Sequence, residues 1–215
     1  MSEIIDIYLR NFGEKATDPL CPEIQIYRTK NLSELWEKVC EIDGRDSPIP
    51  FWGIVWPGGR AIARYILDHR NDFAGKNVLD MAAGSGIATI AAALSGAIVL
   101  AVDIDPAAEQ IALLNAALNG VEAAYSIRDV FSMTDDEMIR FDWIVAGDVF
   151  YESLLAKKSS DFLKRASEMG IQNLAADAGR VYRPENGIRV LASMDVPVEK
   201  EIEGRSSRKT DIICF

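Results

Sequence analysis

The sequence predicts an α/β fold, a mostly parallel sheet with helices on both faces. Three observations lead there: short apolar runs alternate with helix-length segments from Val78 onward, a glycine turn (Gly84-x-Gly86) joins the first run to a helix, and successive runs stop at an acid, at Asp80, Asp103, Asp129 and Asp148. One aspartate at a strand end is an ordinary capping or turn residue. Four in succession, at the same end of a parallel sheet, mark the edge where ligands sit in open α/β folds.

The elements follow in order. Residues 2–12 suit a short amphipathic helix, Pro22 to Tyr27 a strand, and Leu32 to Val39 a helix opened by Asn31 or Ser33. The turn-rich stretch DGRDSPIP, 43–50, separates these from the rest, giving an N-terminal extension, 1–48, packed on a core domain, 49–215. Pro50 to Gly59, PFWGIVWPGG, fits no regular element. Its composition suits either a loop packing aromatics on the core or an aromatic wall over a ligand, with Gly58 and Gly59 freeing backbone just before a helix. In that helix Ile62, Tyr65 and Ile66 share one face, and Arg60, Arg64 and Asp68 repeat along the other.

Val78 to Asp80 ends a first strand, Ile87 to Leu94 has helical composition, and Ala97 to Val102 is a second strand stopping at Asp103. Asp105 and Pro106 read as N-cap and first position of a helix with an Ile111, Leu114, Leu118 stripe, closed by Asn119 and Gly120. Strands follow at Ala123 to Arg128 and Trp143 to Gly147, then a helix from Glu152 to Met169. Leu174 to Ala176, Ile188 to Ala192 and Thr210 to Phe215 complete seven strands, with Gly204 to Thr210 read as a solvated hairpin turn.

Composition narrows the function. With 49% hydrophobic and 26% charged residues and no apolar run near the ~20 residues of a membrane span, a soluble cytoplasmic protein is expected, without a membrane partner. The early acids and sparse Arg and Ser of MSEIIDIYLRNFGEK do not suit a targeting segment. A net charge of −10 disfavours nucleic acid and favours a cationic ligand. Cys21, Cys40 and Cys214 are far apart with no CxxC, so no metal site is expected, and the lone His69 suits a helix C-terminus better than catalysis.

The Gly84-x-Gly86 turn serves dinucleotides and S-adenosylmethionine (AdoMet) alike, and the charges separate them. Asp80, just before the turn, would repel a diphosphate, and Thr89 stands where the dinucleotide fingerprint has its third Gly or Ala. AdoMet carries a sulfonium and an ammonium, which an acid favours by several kcal/mol at intermediate dielectric. Asp103, 17 residues after Gly86, is placed for ribose hydroxyls, and Asp129 with the Val130 backbone for adenine. At the next strand end, Asp148 and Tyr151 of DVFY face the transferring methyl in this topology. An acid there, in place of the Asn/Asp-Pro-Pro-Tyr run of amide and adenine N-methyltransferases, suits an sp³ amine such as lysine, which Asp148 orients while desolvation lowers its pKa.

These residues resemble a known family, the class I (seven-β-strand) AdoMet methyltransferases that act on lysines of the electron transfer flavoprotein β-subunit. The carriers are CPEIQIY (Cys21 to Tyr27), PFWGIVWPGGRAIARYILD (Pro50 to Asp68), VLDMAAGSGIATIAA (Val78 to Ala92), DIDP (Asp103 to Pro106), GDVFY (Gly147 to Tyr151) and DAGR (Asp177 to Arg180). Ala82 stands where the glycine motif usually opens on Gly, and Ala178 where the DAGR turn would carry Pro. The resemblance implies a Rossmann-like sheet with an antiparallel last strand and a monomeric protein-lysine N-methyltransferase acting on that flavoprotein. It also implies cofactor contacts at Trp56, Asp80, Ala82, Gly84, Gly86, Asp103, Ile104, Asp129 and Val130. Catalysis falls to Asp148 and Tyr151, and substrate contact to Trp52, Phe150 and Arg180. The same chemistry would serve another protein lysine, such as one on a ribosomal protein, or a small amine. A non-catalytic AdoMet- or nucleotide-binding module is the rival of another class.

Overall fold

In the computed structural model, which describes residues 2–44 and 47–215, the chain opens with α1 (Glu3–Ile7), prolonged by a wider turn over Tyr8–Phe12. Strands β1 (Glu14–Thr17) and β2 (Gln25–Arg28) pair antiparallel, and α2 (Leu32–Asp43) follows, its N-cap Asn31 accepting the Glu34 N–H. The turn-rich 43–50 stretch lies partly outside the described residues. A 3₁₀ turn (Phe51–Gly53) leads into α3 (Pro57–Asp68) and the short α4 (Arg70–Phe73).

The core alternates β3 (Asn77–Met81), α5 (Ile87–Leu94), β4 (Ile98–Asp103), α6 (Pro106–Leu118), β5 (Ala124–Ile127), α7 (Asp135–Met138), β6 (Trp143–Gly147), α8 (Ser153–Glu168) and β7 (Gln172–Asp177). It closes with β8 (Arg189–Pro197), α9 (Lys200–Glu203) and β9 (Ser207–Cys214). The seven-stranded sheet runs β5-β4-β3-β6-β7-β9-β8, parallel from β5 to β7, with β9 antiparallel to both its neighbours. The chain winds outward from β3 to β5 and then jumps back to β6. The carboxyl ends of β3 and β6 therefore flank a topological switch point, the place for a ligand.

Alternation decides which face each strand residue meets. Val78 packs with α3 and α5, while Leu79 and Met81 point to the other side, against α8 residues such as Phe162 and Leu163. Burying each such side chain contributes about 1.5–3 kcal/mol. A third cluster ties the N-terminal segment down: Ile5, Tyr8, Leu35 and Val39 close over Trp52 and over Ala108 and Ile111 of α6. Polar clamps assist, since Asn115 of α6 and Asn119, which caps its C-terminus, accept the N–H groups of Tyr27 and Gln25.

Several expectations are corrected. Arg60 does not lie on a solvated helix face. It is fully buried, paired with Asp18 at 2.7 Å and donating to the Pro197 carbonyl. The GRSSRKT stretch is mostly strand: Ser207 to Thr210 pair with Met194 to Pro197 as a two-stranded ribbon reaching past the end of β7. Helix α7, announced by a Thr134/Glu137 capping box, and α9 are additional elements.

Candidate active site

On the cofactor side, β3 runs one residue past Asp80 to Met81 and gives way to a turn with left-handed backbone at Ala82 (φ 57°), Gly84 (φ 52°) and Gly86 (φ 79°). Ala82 adopts this conformation despite its Cβ, at a cost of about 1–2 kcal/mol. The two glycines do different work. A Cβ on Gly84 would meet only the Ala82 carbonyl, at 4.0 Å, so the space over the turn is open, whereas one on Gly86 would lie 2.9 Å from Ala112 Cβ. Gly86 thus lets α5 and α6 approach each other.

Asp103, at the end of β4, accepts three backbone N–H groups, from Gly84 (2.9 Å), Ile104 (2.8 Å) and Asp105 (3.1 Å), and burial still raises its pKa. Beside it Ile104 is 72% exposed. Asp129 accepts the Phe131 N–H and so caps a 3₁₀ turn that starts at the buried Val130. Asp80 is buried and accepts the Thr89 hydroxyl at 2.6 Å. Thr89, which entered the sequence reading only as a missing glycine, is thus the partner of the turn's acid. Burial pushes Asp80 up to about 7, the Thr89 bond opposing it. A cationic ligand beside this carboxyl would favour its ionised form.

On the acceptor side, Asp148 follows β6 with φ 55°, a conformation aspartate tolerates better than most residues. Helix α3 begins at Pro57, so Gly58 and Gly59 sit in its first turn and not before it. A Cβ on Gly58 would fall 2.6 Å from Asp148 N and Ala176 O, and one on Gly147 would fall 2.6 Å from Gly59 N. The WPGG glycines therefore let the α3 N-terminus press onto the ends of β6 and β7. The Asp148 Oδ2 accepts the N–H of Gly58 and of Gly59 (3.2 Å). Its Oδ1 is buried and finds no hydrogen-bond partner among the described residues, and Arg180 Nη2 stands 4.0 Å away. Burial raises Asp148 to about 7, against the pull of Arg180 and the two amides.

Around this carboxylate stand aromatics. The Trp56 indole donates to the Phe51 carbonyl (2.9 Å), and the Phe51 ring lies 5.6 Å from Trp56 and 5.5 Å from the half-exposed Tyr151. The Arg180 guanidinium sits 6.0 Å over Trp56. Two of the expected substrate contacts are buried. Trp52, 3% exposed, packs edge-on against Tyr8 at 5.2 Å, and Phe150 is fully enclosed in the core on the α8 side. Phe51 takes the wall position instead; it lay within the aromatic run, but composition did not separate it from Trp52. Asp177 adds a fifth strand-end acid, accepting the N–H of Gly179 (2.8 Å) and Arg180 (2.9 Å) with one oxygen while the other lacks a partner among the described residues. A hollow of about 600 Å³ between Lys76, Trp143 and Gln172 lies at the opposite end of the strands and touches none of these acids.

The arrangement fits an adenosyl group with a cationic tail: open space over Gly84, a fixed carboxylate at Asp103, an exposed apolar side chain at Ile104, and the buried acid Asp80. A family model described as ribosomal protein L11 methyltransferase (PrmA) matches residues 64–163, somewhat less than half of the chain. The electron transfer flavoprotein beta subunit lysine methyltransferase of Mus musculus is 36% identical over 88% of this chain and 76% of its own length. The chain belongs to this flavoprotein lysine methyltransferase family. The Danio rerio member is 37% identical over 79% of this chain, which spans 65% of that relative. Membership places the chain among the AdoMet-dependent methyltransferases. The chain shares its fold with the magnesium protoporphyrin IX methyltransferase ChlM from Synechocystis PCC 6803 (TM-score 0.52, 15% identity, 86% of this chain and 93% of that one).

Proposed function

We propose that the chain is a protein-lysine N-methyltransferase acting on the β-subunit of electron transfer flavoprotein, the substrate named for its relatives. The observation that carries the chemistry is the buried, unpartnered Oδ1 of Asp148 beside an aromatic wall. When bound, AdoMet supplies a methyl group on a sulfonium, an electrophile that needs a lone pair aimed at it and no covalent enzyme intermediate. Asp103 serves the ribose diol, Ile104 and the Asp129–Val130 backbone the adenine, and Asp80 the cationic end. Asp148 Oδ1 accepts an N–H of the incoming amine and so directs its remaining lone pair. Trp56, Phe51 and Tyr151 exclude water from the amine and present ring faces that favour a cation before its proton leaves to solvent.

The test is incubation of the protein with methyl-labelled AdoMet and purified flavoprotein, followed by mass mapping of labelled lysines. Label on the β-subunit is expected, and Asp148→Asn should lower the rate by about 10² or more while AdoMet binding by calorimetry persists. AdoMet binding without label on any flavoprotein lysine would refute the substrate. The PrmA match favours one second reading, a ribosomal-protein lysine, which the same assay with ribosomal protein L11 would reveal.

A further inference from the structure

The β8–β9 hairpin, read from sequence as a solvated turn, reaches the acceptor site through a buried charge. Glu203 closes α9 with its side chain only 6% exposed and accepts from two arginines, Arg180 at 2.8 Å and Arg208 at 2.6 Å. Arg180 is the cation that stands 4.0 Å from the unpartnered Asp148 Oδ1 and 6.0 Å over the Trp56 ring. A carboxylate oxygen and an indole face are what a substrate ammonium needs, and Arg180 already offers a cation to both. Only its stronger partner holds it at a distance from Asp148. At 2.8 Å the Glu203 contact is a charge-assisted hydrogen bond, whereas at 4.0 Å the Asp148 contact is not a hydrogen bond.

We infer that Glu203 is a positioning residue for methyl transfer: by holding Arg180 it keeps Asp148 free for the amine, and without it Arg180 closes on Asp148 as an internal competitor. This rests on the acceptor site proposed above. The anchorage of α9 suits the task. Just before it, Glu199 pairs with Arg28 of β2 and lies 3.8 Å from the buried Arg60, and Ile202 and Glu203 line a narrow cleft against Trp56 and Pro57. The groups facing Asp148 are the Gly58 and Gly59 amides from α3, Asp177 from β7 and Arg180 from the loop after it, with Glu203 acting through Arg180.

Glu203→Gln and Arg180→Gln, singly and combined, test this in the full chain. The first measurement is the Asp148 carboxyl titration by carbon-detected NMR without acceptor, which stands whether or not the flavoprotein is the substrate. Glu203→Gln should lower the Asp148 pKa as Arg180 closes in, and Arg180→Gln should raise it. With acceptor, Glu203→Gln should raise KM about tenfold with kcat within about twofold, and the acid limb of kcat/KM should move to lower pH. Adding Arg180→Gln should remove the fall in the Asp148 pKa that Glu203→Gln causes. An unmoved Asp148 titration in Glu203→Gln overturns the inference. So does a fall that persists in the double variant, the mark of a hairpin charge acting without Arg180. Should Glu203→Gln fail to fold, Arg180→Gln alone decides: a raised Asp148 pKa supports the inference, and an unmoved one overturns it. Absence of methylation by the wild type, with the titrations as expected, removes the substrate assignment and leaves the Glu203–Arg180–Asp148 coupling standing.

Discussion

Asp148→Asn should make the protein more stable while it slows transfer by about 10² or more. The side chain is 10% exposed, and burial lifts its pKa from the ordinary 3.8 to about 7. A carboxyl whose folded pKa lies above its unfolded one holds its proton more tightly in the fold. Its stabilising contribution is therefore complete below the unfolded value and is lost as pH rises toward the folded value, here between about 4 and 7. At 1.36 kcal/mol per pH unit the full difference is about 4 kcal/mol, and partial solvation of the exposed edge reduces it to about 2–4 kcal/mol. Asparagine is neutral, keeps the shape, and retains an oxygen to accept from the Gly58 and Gly59 amides. Urea unfolding at a series of pH values reads the difference directly. The variant and wild type should agree within about 1 kcal/mol at pH 4, diverge through pH 7, and stay apart at pH 8, where the variant's Tm should be roughly 5–10 °C higher. A variant less stable than wild type at pH 8, or a difference that ignores pH, would refute the assignment of a desolvated carboxylate at this site.

Gly58→Ala should cost about 1–3 kcal/mol by overpacking, since its Cβ would lie 2.6 Å from the Ala176 carbonyl and Asp148 backbone, and by shifting Asp148 it should also raise the acceptor KM; denaturant melts and steady-state kinetics check the two effects. Arg60→Ala leaves Asp18 charged and enclosed and should cost about 3–5 kcal/mol, while the paired change Arg60→Met with Asp18→Asn should recover most of it in the same melts.

The local signals in the sequence carried the fold a long way. Apolar runs, the Gly84-x-Gly86 turn and the Asp105–Pro106 cap specify the βαβ units because each is decided within a few residues. What escaped depends on distant partners. Nothing near Arg60 announces that Asp18, 42 positions earlier, buries with it, and nothing near Trp52 announces Tyr8. Phe150 and Tyr151 are neighbours of like composition, yet one is enclosed and the other half exposed, a matter of which way the chain leaves β6. Residues 207–210 look like a turn because they carry no apolar side chain themselves; the buried apolar residue of the ribbon, Val196, stands on the partner strand. The Thr134/Glu137 capping box was legible in the sequence, but it opens a helix of only four residues, too short for any apolar period to show.

The place of β9 has a consequence for the order in which the protein can be completed during synthesis. Its residues 207–214 come late in the chain, yet they lie inside the sheet, between β7 and β8. Until they leave the ribosome, β7 has an open edge, β8 has no neighbour, and the Pro197 carbonyl that Arg60 meets is not held in place. A nascent chain paused before Ser207 thus shows its whole glycine turn, yet carries an unpaired strand edge along β7. An open edge of this kind is a template for pairing with other chains, which completion of β9 removes.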